Sequence, residues 1–266
     1  LTQEGGVDMV CFTGDLADHG KAEEYQKISE FLAGLVSHLK LDRSRLFVVP
    51  GNHDIDRSIA PKEWRHVRDN LGEAKSSLAI SRWMAGGAAP FGFLDAERDA
   101  VLSRQASFRS WLKQFGLAAQ SPDTSGRLLG YRLPLRLPHL PFPVHVIGLD
   151  SAWLAGDDAD ARRLRLTDGQ VQSLCNNPLD GRALDGFRLA LIHHPLSDLA
   201  DGSECQPLLG QSLDLILRGH LHETTVDLLA DPDLHLRTIA AGCLYEHDRY
   251  PNACILLRVT CDAAGR

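Results

Sequence analysis

Four short polar motifs, each placed directly after an apolar run, constrain the fold of this 266-residue chain more than any other feature. The runs have the length and composition of buried strands, and glycine or proline punctuates every motif. In α/β proteins, the loops after the carboxyl ends of strands carry the functional side chains. We therefore expect the four motifs to meet at one end of a sheet. They are Gly14-Asp15, Gly51-Asn52-His53-Asp54, His193-His194-Pro195 and Gly219-His220-Leu221-His222.

The rest of the pattern predicts strands that alternate with helices. Apolar residues at helical spacing predict a helix over residues 25–39. Residues 167–170 have the spacing of a capping box that opens another helix. This alternation is typical of an α/β fold. We expect strands over residues 7–12, 46–49, 144–149, 189–192, 213–217, 236–240 and 253–260.

Residues 56–140 differ from the chain on either side. They contain three of the four tryptophans and a series of helical patterns, followed by four prolines that indicate irregular chain. We interpret the segment as a largely helical insertion or cap within a single domain over residues 1–266, and a separate interaction module is the alternative. The helical patterns cover residues 62–71, 76–85 and 95–115, and the prolines are Pro134, Pro138, Pro141 and Pro143.

Composition limits the possible partners and locations. The apolar fraction of 44% and the charged fraction of 24% are ordinary for a globular protein, and the formal net charge of −7 argues against a broad basic face for nucleic acid. No apolar run reaches the roughly 20 residues that a membrane helix needs, so we expect no membrane association. The start lacks the pattern of a secretory signal, and the six cysteines form no C-x-x-C pair. We expect free thiols and a cytoplasmic location.

The four motifs share one kind of chemistry. Carboxylate, amide oxygen and neutral imidazole together suit Zn, Mn or Fe. A His-x-His motif can place two imidazoles near two adjacent metals, and one aspartate can bridge them; two metals about 3.5–4 Å apart activate water and bind a phosphoryl oxygen. Each motif alone is also compatible with an ordinary turn or loop. Their occurrence together, each after an apolar run, favours a metal site.

Together, the motifs resemble the calcineurin-like metallophosphoesterase superfamily, whose pattern is D-x-H, G-D, G-N-H-D or G-N-H-E, H-H-P, and G-H-x-H. The chain is most similar to the bacterial cyclic-nucleotide phosphodiesterases of that superfamily. The resemblance implies a four-layer α/β/β/α sandwich of two mixed sheets. It also implies a metal-dependent phosphoric ester hydrolase, in which a metal-bridging hydroxide attacks phosphorus.

The resemblance assigns metal ligands residue by residue. Asp15 corresponds to the ligand that bridges the two metals, and His222 to a ligand of the second metal. His193 is preferred to His194 as a ligand because the related G-H-Y-P form of the motif places its ligand first. His194 would then support the ligands from outside. The other protein ligands of the first metal are expected to be Asn52, His193 and His220.

Two further residues correspond to catalytic positions. His53 matches the histidine that contacts the phosphate and protonates the leaving group. Asp54 either orients His53 or holds the turn, and the sequence leaves both open.

The D-x-H motif of the family usually precedes G-D on the first strand, but none of the 13 residues before Gly14 forms it. A binuclear centre of two divalent ions (Mn, Fe or Zn) would then keep only Asp15 and His222 at its second metal. We expect that the first strand lies outside the given sequence, since every other ligand is intact, and an impaired site is the alternative. The chain could equally be one part of a larger multidomain protein.

Several functions remain compatible with this core. We expect a phosphodiesterase acting on a small phosphate ester or a nucleotide. A nuclease is a second hypothesis, but the basic residues of one helix are diluted by acidic ones: Arg57, Lys62, Arg65 and Arg68 lie beside Glu63 and Asp69. A scaffold without activity is the third. Asp150 and Ser151 are expected to form structural hydrogen bonds rather than line the cleft, and residues 245–247 are candidates for substrate contact.

Overall fold

The computed structural model describes residues 6–71, 77–90, 92–122, 129–231, 234–244 and 252–261. The strands in these ranges are β1 (Val10–Phe12), β2 (Leu46–Val48), β3 (Tyr131–Leu135), β4 (Val144–Gly148), β5 (Phe187–Ile192), β6 (Leu215–Arg218), β7 (Thr225–Asp231) and β8 (Leu234–Ala240). The helices are α1 (Glu24–Leu39), α2 (Pro61–Leu71), α3 (Ser77–Met84), α4 (Asp95–Ser103), α5 (Ala106–Phe115), α6 (Asp168–Cys175) and α7 (Gly202–Ser212).

The described strands form two sheets. β1 and β2 pair in parallel, and the larger sheet has the order β3-β4-β5-β6-β8-β7. Its centre is parallel and both of its edges are antiparallel, so the larger sheet is mixed. The expectation of two mixed sheets therefore holds for the larger sheet, while the two described strands of the smaller one are parallel.

Successive side chains of each strand point to opposite faces of its sheet, and the two sheets therefore contribute to three layers of hydrophobic core. Val10, Phe12 and Val48 face α1 and α5, whereas Phe47 and Val49 face the larger sheet. The opposite face of the larger sheet packs against α6, α7 and the helices α2 to α4. Both sheets therefore have hydrophobic core packed on each face, as the four-layer α/β/β/α sandwich requires.

The helices predicted between residues 56 and 140 are present as α2 to α5. α2, α3 and α4 contribute to the core on the outer face of the larger sheet, and α5 packs with α1. The prediction of irregular chain at Pro134 is wrong, because Pro134 lies inside β3. β3 forms one edge of the sheet, where a residue without an N–H is tolerated.

The strand predicted over residues 253–260 is also wrong, since the described residues 252–261 form irregular chain. Ile255, Leu257 and Val259 produce a period-two pattern, but a strand also needs a neighbouring backbone to bond. The N–H of Ala253 donates to the Cys243 carbonyl at 2.8 Å, and no ladder continues from there through the described part of the segment.

The two edge strands β3 and β7 escaped prediction. β7 has apolar residues at alternate positions, but Val226 and Leu228 are 73% and 64% exposed, so this alternation does not mark a buried face. The helix expected after residue 167 is confirmed: the Thr167 hydroxyl accepts from the Gln170 N–H at 3.4 Å and caps α6. None of the helices in the described ranges combines the length and apolarity needed to cross a membrane.

Candidate metal centre

The four polar motifs meet at the carboxyl ends of β1, β2, β5 and β6. Their glycines are required by close approach of the backbone. A Cβ on Gly14 would overlap the His193 ring, and a Cβ on Gly51 would overlap the Asp15 carboxylate. Glycine therefore brings the loops after β1, β2 and β5 into direct contact.

Three of the expected metal ligands have unusual backbone conformations. Asp15, His220 and His222 have φ values of 55°, 73° and 56°, in the left-handed region that L-residues seldom adopt. Such residues cost about 1–3 kcal/mol each and concentrate at functional sites. The strain at these positions therefore points to a site whose side-chain directions matter more than local stability.

Three ligand atoms surround the Nε2 atom of His193 and form with it a group of four. Its Nε2 atom lies 2.9 Å from Asn52 Oδ1, 3.2 Å from His220 Nδ1 and 3.2 Å from Asp15 Oδ2, and His220 Nδ1 lies 3.1 Å from Asn52 Oδ1. Neighbouring ligands of one ion lie about 3.0–3.5 Å apart when metal–ligand bonds are about 2.0–2.2 Å long. The spacing of the four atoms therefore fits a single divalent cation.

The hydrogen bonds of the imidazoles also fit a metal. His193 Nδ1–H donates to the Thr13 carbonyl at 2.7 Å, which leaves a lone pair on Nε2 in the neutral ring. Metal-bound histidines are usually held in this way through their other ring nitrogen. For His220 the outer nitrogen, Nε2, lies 3.7 Å from Asp198 Oδ2, and Nδ1 faces the other ligands. Lone pairs of both rings, an amide oxygen and a carboxylate thus share one small space.

Electrostatics within the group favours an ionised aspartate. Burial opposes the charge of Asp15, but His193 and the N–H of His53 outweigh burial and hold the pKa of Asp15 below its ordinary value. Burial also opposes the charge of His193, while the Asp15 carboxylate raises the pKa of His193. Burial, with His193, lowers the pKa of His220 to about 4. His220 is therefore neutral near pH 7, as a metal ligand must be.

His53 stands beside this group and is held by Asp18. Its main-chain N–H donates to Asp15 Oδ1 at 3.0 Å. Its Nδ1 lies 2.9 Å from the Asp18 carbonyl oxygen and 3.3 Å from Asp18 Oδ1. Asp18 did not emerge from the sequence as a site residue, although it follows Asp15 by three positions in the same loop.

Asp54 is fully buried and bonds to the two loops around it. One carboxylate oxygen accepts from the N–H groups of Gly51 (2.9 Å) and Leu16 (3.2 Å). The other accepts from the Ala17 N–H and the Tyr25 hydroxyl, both at 3.0 Å. Burial and the Asp15 charge raise the pKa of Asp54 to about 6. These contacts favour a role in holding the turn over a role in orienting His53.

His194 lies against two of the expected ligands, whereas His222 does not join them. The ring nitrogens of His193, His194 and His220 form a cluster within 4.8 Å of one another, and His222 is outside this cluster as formed by the described residues. Asp150 and Ser151 are buried and form structural hydrogen bonds: Asp150 Oδ1 accepts from the Ala152 N–H at 3.0 Å, and Ser151 Oγ accepts from the His194 N–H at 3.1 Å. Residues 245–247 lie outside the described residues.

The basic residues considered for nucleic-acid binding are partly unavailable. Arg68 is buried, packs on the Trp64 ring and forms a 2.6 Å ion pair with Asp157. Arg57 lies 4.0 Å from the Asp158 carboxylate. Of these residues, Arg68 of α2 therefore uses its charge in a contact within the protein.

Comparison with known proteins identifies the family. The profile of the calcineurin-like phosphoesterase family matches residues 1–224. A segment of 59 residues is 34% identical to the "Uncharacterized metallophosphoesterase-like protein YydB" of Bacillus subtilis (strain 168), and it covers 22% of this chain and 12% of that protein. Because the family profile matches well over half of the residues, the chain belongs to the calcineurin-like phosphoesterase family.

Proposed function

We propose that this chain is a metal-dependent phosphodiesterase acting on a small phosphate diester or a nucleotide. The observation that carries the proposal is the convergence of Asp15, Asn52, His193 and His220 on one cation-sized space, with His53 adjacent. Family membership supports phosphoester hydrolysis in general. The choice of a diester follows the similarity of the motifs to cyclic-nucleotide phosphodiesterases.

In this proposal the four residues hold the first of two divalent cations, Mn, Fe or Zn. Asp15 and His222 would hold the second cation. Bound cations of this kind act as Lewis acids on phosphoryl oxygens and lower the pKa of coordinated water. The glycine-dependent approach of the loops fixes the ligands before any cation binds.

His53 would supply the proton that the leaving oxygen needs. Its Nδ1 is anchored to Asp18, so Nε2 is the nitrogen that can transfer a proton. The Asp15 carboxylate fixes the backbone of His53, and this bond ties the position of the acid to that of the metal ligands. Asp54 would maintain both loops through its four hydrogen bonds.

We also propose a cytoplasmic location and a single-domain organisation. A cytoplasmic location follows from the cysteine pattern of the sequence. The single domain with a helical insertion is supported by α2 to α4, which share their core with the larger sheet.

Substrate class can be tested by comparing three substrates with added Mn²⁺: bis-p-nitrophenyl phosphate, p-nitrophenyl phosphate and linear double-stranded DNA. We expect faster turnover of the diester than of the monoester, and loss of about 10²–10⁴-fold in His53→Ala. Preferential cleavage of DNA with a steep salt dependence would instead support a nuclease. Metal binding without hydrolysis of any of the three would support a scaffold.

A further inference from the structure

A buried hydrogen-bonded pair lies behind the candidate metal ligands. Ser151 follows the carboxyl end of β4, and His194 follows that of β5, the neighbouring parallel strand. His194 Nδ1 lies 2.9 Å from Ser151 Oγ, and the His194 main-chain N–H donates to the same oxygen at 3.1 Å. Both residues are at most 1% exposed. The two contacts fix the His194 ring relative to its own backbone.

The other nitrogen of this ring has a different environment. His194 Nε2 is buried and has no hydrogen-bond partner within the described part of the chain. The His194 ring packs against two imidazoles of the candidate metal centre. Its centroid lies 4.7 Å from that of His193, with the ring planes at 90°, and 4.6 Å from that of His220, with the planes at 54°. Because Nε2 has almost no accessible surface, neither solvent nor substrate reaches it.

This arrangement determines how His194 can act. Ser151 Oγ accepts from the His194 N–H and also bonds to His194 Nδ1, so one hydroxyl fixes both the backbone and the ring of His194. The ring is in direct contact with the imidazoles of both His193 and His220, so a change in its position would disturb the packing of both.

We propose that His194, anchored by Ser151, is a positioning residue that fixes the ring planes of His193 and His220 and so increases the affinity of the site for its first metal. The inference rests on the proposed function, because it assumes that these two rings bind a cation. Outer partners of metal-bound histidines typically contribute 10- to 100-fold in metal affinity, although they touch no metal.

The test is Mn²⁺ binding to the metal-stripped chain, measured by calorimetry without substrate. In Ser151→Ala, both histidines remain but the anchor is lost, and we expect Mn²⁺ affinity to fall about 10- to 100-fold. The matched control is Ser212→Ala. Ser212 is also buried and donates to Asn176 Oδ1 at 2.8 Å, but it precedes β6 at the opposite end of the sheet. We expect the control to lose thermal stability with unchanged Mn²⁺ affinity.

A second variant covers the case in which Ser151→Ala does not fold. His194→Asn keeps a polar atom near the position of Nδ1 but removes the part of the ring that faces His220, so its Mn²⁺ affinity should fall as well. Affinities within twofold of the parent chain in the folded variants would overturn the inference alone. If the parent chain itself binds no Mn²⁺, the proposed function fails, and the inference fails with it.

Discussion

His53 Nδ1 lies 2.9 Å from the carbonyl oxygen of Asp18 and 3.3 Å from its carboxylate, although the two residues are 35 positions apart. The contact joins the loop after β1 to the loop after β2. It orients the imidazole while the Asp18 side chain stays 72% exposed at the mouth of the site. A carbonyl and a carboxylate in this position hold Nδ1 in place and leave Nε2 as the nitrogen that could transfer a proton.

Asp18→Asn should therefore lower turnover more than it lowers metal affinity. The main-chain carbonyl that accepts from Nδ1 remains, so we expect a loss smaller than the roughly 10²–10⁴-fold loss for His53→Ala. The measurement is kcat for bis-p-nitrophenyl phosphate at saturating Mn²⁺. Asp158→Asn is the control, because that exposed carboxylate lies on another loop and should leave kcat unchanged. An equal kcat in Asp18→Asn and the control would show that the Asp18 charge has no part in proton transfer.

The sequence was sufficient to predict the positions of the central strands and the convergence of the four polar motifs that follow them. Buried parallel strands leave continuous apolar runs, and the glycine-bounded motifs after them mark the loops. Asp18 and Asp198 were not predicted, because each is a single carboxylate in a polar loop, and its partner lies far away in sequence. Their roles follow from tertiary distances that no local spacing encodes.

The errors in secondary structure also arise because local sequence patterns do not reveal which strands pair in the folded protein. β3 and β7 form the edges of the larger sheet, where Pro134 is tolerated in β3 and the alternating apolar residues of β7 are exposed. Residues 253–260 have the pattern of a strand without a ladder in the described residues. A side chain can also take the place of a neighbouring strand. The Oε1 atom of Gln120 accepts from the Val48 N–H of β2 at 2.9 Å, and its Nε2 atom donates to the Leu46 carbonyl of the same strand at 2.6 Å.

Asp54→Ala should destabilise the protein by about 3 kcal/mol or more, because the variant leaves three main-chain N–H groups and the Tyr25 hydroxyl without their acceptor. Thermal and urea unfolding would measure this loss. Asp42→Ala removes an exposed carboxylate that accepts from the Ser44 N–H, and it should cause a much smaller change. If Asp54→Ala unfolds like the parent chain but loses activity, Asp54 orients His53 and the turn does not depend on it.

Gly51→Ala should damage both stability and metal binding. The added Cβ would overlap the Asp15 carboxylate, and the cost of such overpacking is typically about 1–3 kcal/mol. Gly34→Ala is the matched control, since Gly34 lies in α1 with no atom within 4 Å of its added Cβ. That control should gain about 0.5–1 kcal/mol from helix propensity. The unfolding free energies of the two variants should therefore change in opposite directions, and Mn²⁺ affinity should fall only in Gly51→Ala. A Gly51→Ala chain with parental Mn²⁺ affinity would contradict the close approach of these loops.

The central claim is that Asn52 Oδ1, together with Asp15, His193 and His220, holds the metal on which phosphoester hydrolysis depends. The most direct measurement is Mn²⁺-dependent hydrolysis of bis-p-nitrophenyl phosphate by the parent chain, Asn52→Ala and the control Asn70→Ala, an exposed asparagine that donates to the His66 carbonyl in α2. We predict turnover that requires added metal, survives in Asn70→Ala and is lost in Asn52→Ala. Equal turnover in all three proteins, or none in the parent chain with any of Mn²⁺, Fe²⁺ or Zn²⁺, would contradict the claim.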